Sequence, residues 1–399
     1  MHHVVGALPH RAMRDLALRH GPLMLLRMGE LPVVVASSAA AAREVMKTHD
    51  AAFASRPRTN TFATLTKDGL GVALAPLGDH WRRVRKLCAT ELLGAPRVRS
   101  FRWTREAEAA ALVASVTAAA AFGDVVNVSS LVTTYVVDAV VRVMVGDRIT
   151  DREAFLACLD EAVRVAAGFS LADLFPSSRL ARALSRTARR VEAVFGEMSR
   201  LMDTVIKEKR ARKAAGVGRE EEEDILDVLL DGGGDGVPLS IETVRAMMRD
   251  LFGAGSETSA STLLWAMAEL MREPAALRRA QAEVRGALAG QSRVREESLQ
   301  ELPYLRLFRP ERFEEGAVAA LDFRGTDFEL VPFGAGRRMC PGITFGLAVI
   351  ELALASLLFH FDWELPGGTT ELDMAEALGI TAKRKSDLWL HATVIIPPL

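Results

Sequence analysis

One decapeptide constrains this chain more than any other stretch: Phe333-Gly334-Ala335-Gly336-Arg337-Arg338-Met339-Cys340-Pro341-Gly342, followed directly by a nearly all-apolar run to Phe361. It places a cysteine in a glycine-rich turn, behind two arginines and ahead of a long helix. A thiolate exists at neutral pH only beside positive charge or a metal, and N–H groups aimed at its sulfur tune it as a ligand. The glycines let the backbone approach closely and reach positive φ, and Pro341 suits the first step of a helix, where its missing N–H costs nothing. A free cysteine is most often simply buried; here the surroundings favour an iron ligand. The run Gly342–Phe361 is long enough to span a bilayer, yet a helix apolar all round also suits a large soluble core. Glu351 near its middle and the Asp362-Trp363-Glu364 exit favour the core.

The 399 residues, 49% hydrophobic and 25% charged, suffice for a sizeable core in one large domain or two smaller ones. Lys and Arg number 50 against 51 Asp and Glu, which argues against nucleic acid as a partner. Three cysteines, Cys88, Cys158 and Cys340, make no disulfide framework and fit a reducing compartment. The opening Met1-His2-His3-Val4-Val5-Gly6 reads as neither signal peptide nor membrane anchor.

The pattern along the chain predicts a mainly α fold with small β-sheets. A short helix spans Arg11–His20, and Leu23–Met28 with Pro32–Ala36 flank Gly29-Glu30 as a hairpin. Ser37 and Ser38 can cap an Ala-rich helix to Lys47. Helices follow over Gly78–Thr90, 103–121, 128–145, 151–166 and 184–213. Gly168–Leu184, with Phe169, Leu171, Leu174, Phe175 and Leu180, reads either as a packed connector or as an exposed apolar lid. The charge run Arg219–Asp224 is expected to be a solvated loop, and Gly232–Gly236 a flexible joint.

Ser240 begins a long helix to Arg272 whose centre is Leu251-Phe252-Gly253-Ala254-Gly255-Ser256-Glu257-Thr258-Ser259. Two mid-helix glycines cost about 1 kcal/mol each against Ala, which a sequence tolerates where something flat must approach the backbone. The Thr258 hydroxyl can bond back to the Ala254 carbonyl one turn earlier or face a ligand, and Glu257 stands beside it as an acid. Taken alone, Ser-Glu-Thr-Ser could equally be a solvated stripe. Earlier, Trp81-x-x-x-Arg85 offers an indole N–H and a guanidinium, both suited to a carboxylate; the bland alternative is an ordinary basic helix face. That face, with Arg82, Arg83 and Lys86, also suits an acidic partner protein.

The spacing Phe333-x-x-Gly336-x-Arg338-x-Cys340-x-Gly342 resembles the haem-binding signature of the cytochrome P-450 superfamily, and the local string looks most like its plant microsomal members. The resemblance implies that Cys340 is the axial ligand of haem b and that Arg338 pairs with a haem propionate. Ala254-Gly255-Ser256-Glu257-Thr258-Ser259 resembles the family's oxygen-binding motif, which implies that Glu257 and Thr258 deliver protons. Trp81 and Arg85 resemble its other propionate contact. The implied activity is a monooxygenase using O2 and electrons from a separate NADPH-dependent P-450 reductase, on a small apolar plant metabolite such as a terpenoid. Ala377-Leu378-Gly379-Ile380 resembles the loop that touches substrate. The implied location is the cytosolic face of the endoplasmic reticulum membrane, with surface contact through Phe169–Leu180. The usual anchor and proline-rich hinge are missing, so the chain reads as starting just after them.

One landmark breaks the match. The family carries a Glu-x-x-Arg helix between the distal helix and the cysteine. Here Leu302-Pro303-Tyr304-Leu305-Arg306-Leu307 looks like its lead-in, and the sequence then jumps to Phe308-Arg309-Pro310-Glu311-Arg312-Phe313, the segment that should pair with it. Glu269 to Arg272 matches the pattern but ends the distal helix itself. The chain reads as a single domain, 1–399, internally truncated between Leu307 and Phe308 by a skipped exon or a mistaken gene model. Arg312 would lose its carboxylate, at a cost of about 3–5 kcal/mol, and the hairpin near Leu23 and Val33 would keep unpaired edges. The competing function is therefore a catalytically inactive relative that binds haem weakly or not at all. A membrane-spanning or purely structural helical protein, resting on Gly342–Phe361, is a third reading.

Overall fold

The computed structural model describes residues 8–57, 59–66, 69–121, 123–147, 149–166, 170–216, 223–233, 236–307, 324–368 and 371–398. Several of its helices begin where short polar side chains take over the orphan N–H groups of a first turn. Asn127 Oδ1 accepts from Ser130 N at 2.9 Å and starts Val128–Val145, while Ser240 Oγ accepts from Thr243 N at 3.2 Å and starts the 32-residue helix Ile241–Arg272. The first of these stops at Gly146, whose φ of 77° gives the left-handed turn that frees the chain.

Among the described residues, two helices are long and apolar enough to cross a membrane by length and composition, Val128–Val145 and Ile343–His360. Both are core helices here. Val128–Val145 packs on Ile241–Arg272 and on Arg102–Ala120; Ile343–His360 packs on those same two and on Pro274–Ala287. The Tyr135 hydroxyl donates to Val349 O at 2.9 Å and joins the pair. Glu351 is half-buried and faces Arg306 at 3.6 Å. Burial of the two apolar surfaces against other helices supplies the core, at about 25 cal/mol per Å² removed from water.

The β structure is small. Leu23–Met28 pairs antiparallel with Leu31–Ala36, and no third strand joins them among the described residues. Leu23, Leu25 and Val34 are exposed on this hairpin. Its turn is fixed from outside: Glu30 N donates to Leu174 O at 2.8 Å, and a Cβ on Gly29 would lie 2.3 Å from that oxygen. A second sheet orders Val126–Asn127, Trp389–Val394 and Phe361–Glu364, with Trp389–Val394 in the middle.

Three local expectations change. The Ala-rich helix ends at Arg43 and continues as a π turn, Glu44–Thr48, and a second π turn, Cys88–Leu92, follows the helix Asp79–Leu87. Such single widened turns re-aim the chain at functional sites, and both flank the cavity described below. Gly168–Leu184, described from Ser170 onward, forms two short helices, Leu171–Leu174 and Arg179–Leu184. Leu174 is buried there, whereas Leu171, Leu180 and Leu184 are exposed; Phe169 lies outside the described residues. Asp224, expected in a solvated charge run, is instead 2% exposed. It caps Ile225–Leu230 and pairs with Lys209, because a carboxylate at a helix start can be buried when N–H groups and an ammonium surround it. The segment Phe308–Phe313, with Arg312, lies outside the described residues.

Candidate functional site

A cavity of about 1160 Å³ lies between the centre of Ile241–Arg272 and the cysteine turn. It exceeds the ~300–1,000 Å³ of an ordinary small-molecule site, leaving room for a cofactor and a substrate together. The distal wall is Ala254, Gly255 and Thr258; the proximal wall is Phe333, Cys340 and Gly342. Trp81, Arg85 and Arg338 close one side.

Backbone geometry shapes the cysteine turn. Cys340 N donates to Phe333 O at 2.9 Å, and Gly342 N donates to Cys340 Sγ at 3.4 Å. The sulfur therefore carries the N–H contact that a thiolate ligand needs. Gly336 has φ 64°, and a Cβ there would lie 2.0 Å from Met46 O. The turn is thus seated on the π turn Glu44–Thr48, and Gly336 packs against it rather than lining the cavity.

Three cations collect on the cavity wall, Arg85 among them close enough to interact with the sulfur. Arg338 donates to Ala54 O at 2.7 Å, to Val72 O at 3.3 Å and to Ala75 O, and its guanidinium stacks 4.3 Å from the Trp81 ring. Arg85 donates to Met339 O, and Arg56 donates to Ala73 O at 3.2 Å. Among the described residues no carboxylate pairs with any of the three. Asp50, on the same wall, is committed to Arg337 at 2.9 Å. Burial, and then the charges of Arg56 and Arg85, push Arg338 down to about 10. Burial likewise lowers Arg85. Protonated arginine is disfavoured in this corner, and a bound anion would relieve it.

The distal helix behaves as expected at Thr258, whose hydroxyl donates to Ala254 O at 2.7 Å. Gly255 has a further role: a Cβ there would sit 3.3 Å from Val140, so its smallness also serves the packing of Val128–Val145. Glu257 does not reach the cavity wall. Its carboxylate accepts from the Thr381 hydroxyl at 2.8 Å and lies 3.6 Å from Lys383 Nζ. The C-terminal loop is strapped to the helix there and again by Trp265 Nε1, which donates to Ala382 O at 2.6 Å. Leu378 and Ile380 are exposed outside the cavity. Arg56 and Asp250 are among the wall residues that sequence reasoning missed. Asp250 had a faint signal, a lone acid entering the apolar centre of the helix; Arg56 had none.

The fold and this site define a haem-thiolate class of oxidoreductase. The family model for cytochrome P450 matches residues 2–307 and 306–390, and this chain belongs to that family of oxygen-incorporating oxidoreductases. It is 39% identical to desmethyl-deoxy-podophyllotoxin synthase of Sinopodophyllum hexandrum over 461 aligned positions, covering 99% of this chain and 89% of that one. It is 38% identical to dolabradiene monooxygenase of Zea mays over 463 positions, covering 100% and 91%. The fold is also that of a zebrafish cytochrome P450 solved with progesterone, at TM-score 0.78 and 20% identity, covering 97% of this chain and 100% of that one.

The family implies haem iron. The residues present fit it: a sulfur with an N–H donor on the cavity wall suits the metal, and cations without a carboxylate partner among the described residues suit the two propionates.

Proposed function

We propose that this chain is a haem-thiolate monooxygenase that oxidises a small apolar plant metabolite of terpenoid type, with O2 and electrons passed from NADPH by a separate reductase. The observation carrying this reading is the Gly342 N–H···Sγ contact in the same cavity as Arg85 and Arg338, which have no carboxylate partner among the described residues. When bound, the haem supplies the oxygen-activating chemistry, with the thiolate donating electron density to it. Cys340 would hold the iron, kept in its turn by the Phe333 carbonyl and the Gly342 N–H. Arg338, Arg85 and Trp81 would hold the propionates. Thr258, on the distal wall, would pass protons by releasing its bond to Ala254 O, and Glu257 would join that step only by turning inward from Thr381 and Lys383. Ala254 and the Gly255 backbone leave room for substrate. The exposed Leu171, Leu180 and Leu184 suit contact with the cytosolic face of the endoplasmic reticulum membrane.

Two findings favour a second reading. The family match breaks at residue 307, and the alignments with relatives run over some 460 positions although this chain has 399. Both support a single domain that lacks an internal segment after Leu307. Leu305, Arg306 and Glu351 border the cavity there, so haem would be held from fewer sides and turnover reduced or lost. Expressing the full chain, reducing it and adding carbon monoxide decides between the two. Thiolate-ligated haem gives a red-shifted Soret band; its absence refutes the monooxygenase reading. Arg338→Gln is expected to weaken haem retention by about tenfold or more, since charge-assisted bonds are worth roughly 1.5–3 kcal/mol. Spectrophotometric haem titration checks it.

A further inference from the structure

Asp250 sits one turn before Ala254 on the distal helix and lines the cavity, yet the haem reading gives it no task. Its Oδ2 accepts from Ala73 N at 2.8 Å, and it also takes a bond from the Val72 backbone. The approach is close enough that a Cβ on Gly71 would lie 2.2 Å from Oδ2 and 3.1 Å from Ala246 O. The carbonyls of the same short loop point the other way. Val72 O accepts from Trp81 Nε1 at 3.2 Å and from Arg338, Ala73 O accepts from Arg56, and Ala75 O accepts from Arg338. One strip of backbone thus has its N–H side on a distal carboxylate and its C=O side on the proximal indole and cations.

We propose that Asp250 is a positioning residue: it clamps the loop Leu70–Pro76 so that the loop's carbonyls aim Arg338, Arg56 and Trp81 at the anionic edge of the cofactor. The role rests on the haem reading above. It also makes the distal helix, which borders the substrate space, mechanically continuous with the cation cluster on the other side of the cavity. Burial pushes Asp250 up to about 6, against the Ala73 and Val72 N–H groups and Arg249, which hold it down. A carboxyl kept in so unfavourable a place, with the buried Cys88 thiol as its other titratable neighbour, is retained for what it holds.

The test uses the full chain and three variants, Asp250→Ala, Gly71→Ala and the double substitution. Gly71→Ala reaches the same hydrogen bond from the loop side by displacing the carboxylate, so it serves if Asp250→Ala does not fold. Hydrogen exchange is measured at the Val72 and Ala73 amides and at the Trp81 indole N–H, and haem retention by titration. Each single variant is expected to speed exchange at all three groups by about tenfold or more and to weaken haem retention. The double variant is expected to add nothing further, because both changes remove one interaction. The red-shifted carbon monoxide band of whatever haem remains should be unchanged, since Cys340 is untouched. Amides that exchange at the wild-type rate overturn the clamp. A loosened loop with unaltered haem retention and unaltered Trp81 exchange overturns the link to the cations. If the parent chain holds no haem, the haem reading fails, while the Trp81 exchange still decides whether Asp250 sets the proximal side.

Discussion

Cys340→Ser is expected to abolish the red-shifted Soret band of the reduced, carbon monoxide-treated protein. The substitution changes one atom. A serine hydroxyl fits the same turn and still receives the Gly342 N–H, so the fold around residues 333–342 should survive. What the variant would lose is a soft sulfur ligand, since an alcohol does not donate comparable electron density to iron. Thermal denaturation should show a midpoint close to the parent's. Haem retention should fall only in part, because Arg85, Arg338 and Trp81 remain in place. A variant that kept the red-shifted band would remove Cys340 as ligand, and neither Cys88 nor Cys158 could replace it. Both are buried away from the cavity wall, and burial pushes their thiols up to about 12 and about 11.

Gly336→Ala is expected to destabilise the chain by about 3 kcal/mol, from strain at a left-handed backbone combined with a main-chain clash. At φ 64° any Cβ is disfavoured, and here it would also fall 2.0 Å from Met46 O, which cannot swing aside as a side chain would. Relief requires separating the cysteine turn from the π turn Glu44–Thr48. Arg338, two residues on, would then lose its aim at the Ala54, Val72 and Ala75 carbonyls. Equilibrium denaturation measures the first effect and haem titration the second. Gly334→Ala is the control: it shares a positive φ of 69° but has nothing within 4 Å of its would-be Cβ, so it isolates backbone strain from the clash. Equal losses in the two variants would show that the Met46 contact carries no weight.

Much of this architecture was legible in the sequence because it is local. The apolar helices 128–145 and 343–360, the Ser240 cap and the Gly29-Glu30 hairpin are set by periodicity, capping and turn chemistry within a few residues. The Thr258 to Ala254 bond follows from helix geometry alone. The two π turns were not legible, since no side-chain pattern distinguishes one widened turn from the ordinary turns beside it. Asp224 was misjudged because its burial depends on Lys209, fifteen residues upstream on another helix.

By itself, then, the sequence determined the cysteine turn, the distal helix and the small β content, each being short-range chemistry written into neighbouring residues. Only the tertiary structure decided which side chains share the cavity. Glu257 is turned outward because Thr381 and Lys383, more than a hundred positions away, claim its carboxylate. Gly336 is required by a carbonyl at Met46, and Gly255 also makes room for Val140. Arg56, Arg338 and Asp250 meet through one loop that carries no charge of its own. Contacts of this kind depend on how folded elements are stacked, and packing is a property of the whole chain that no local pattern encodes.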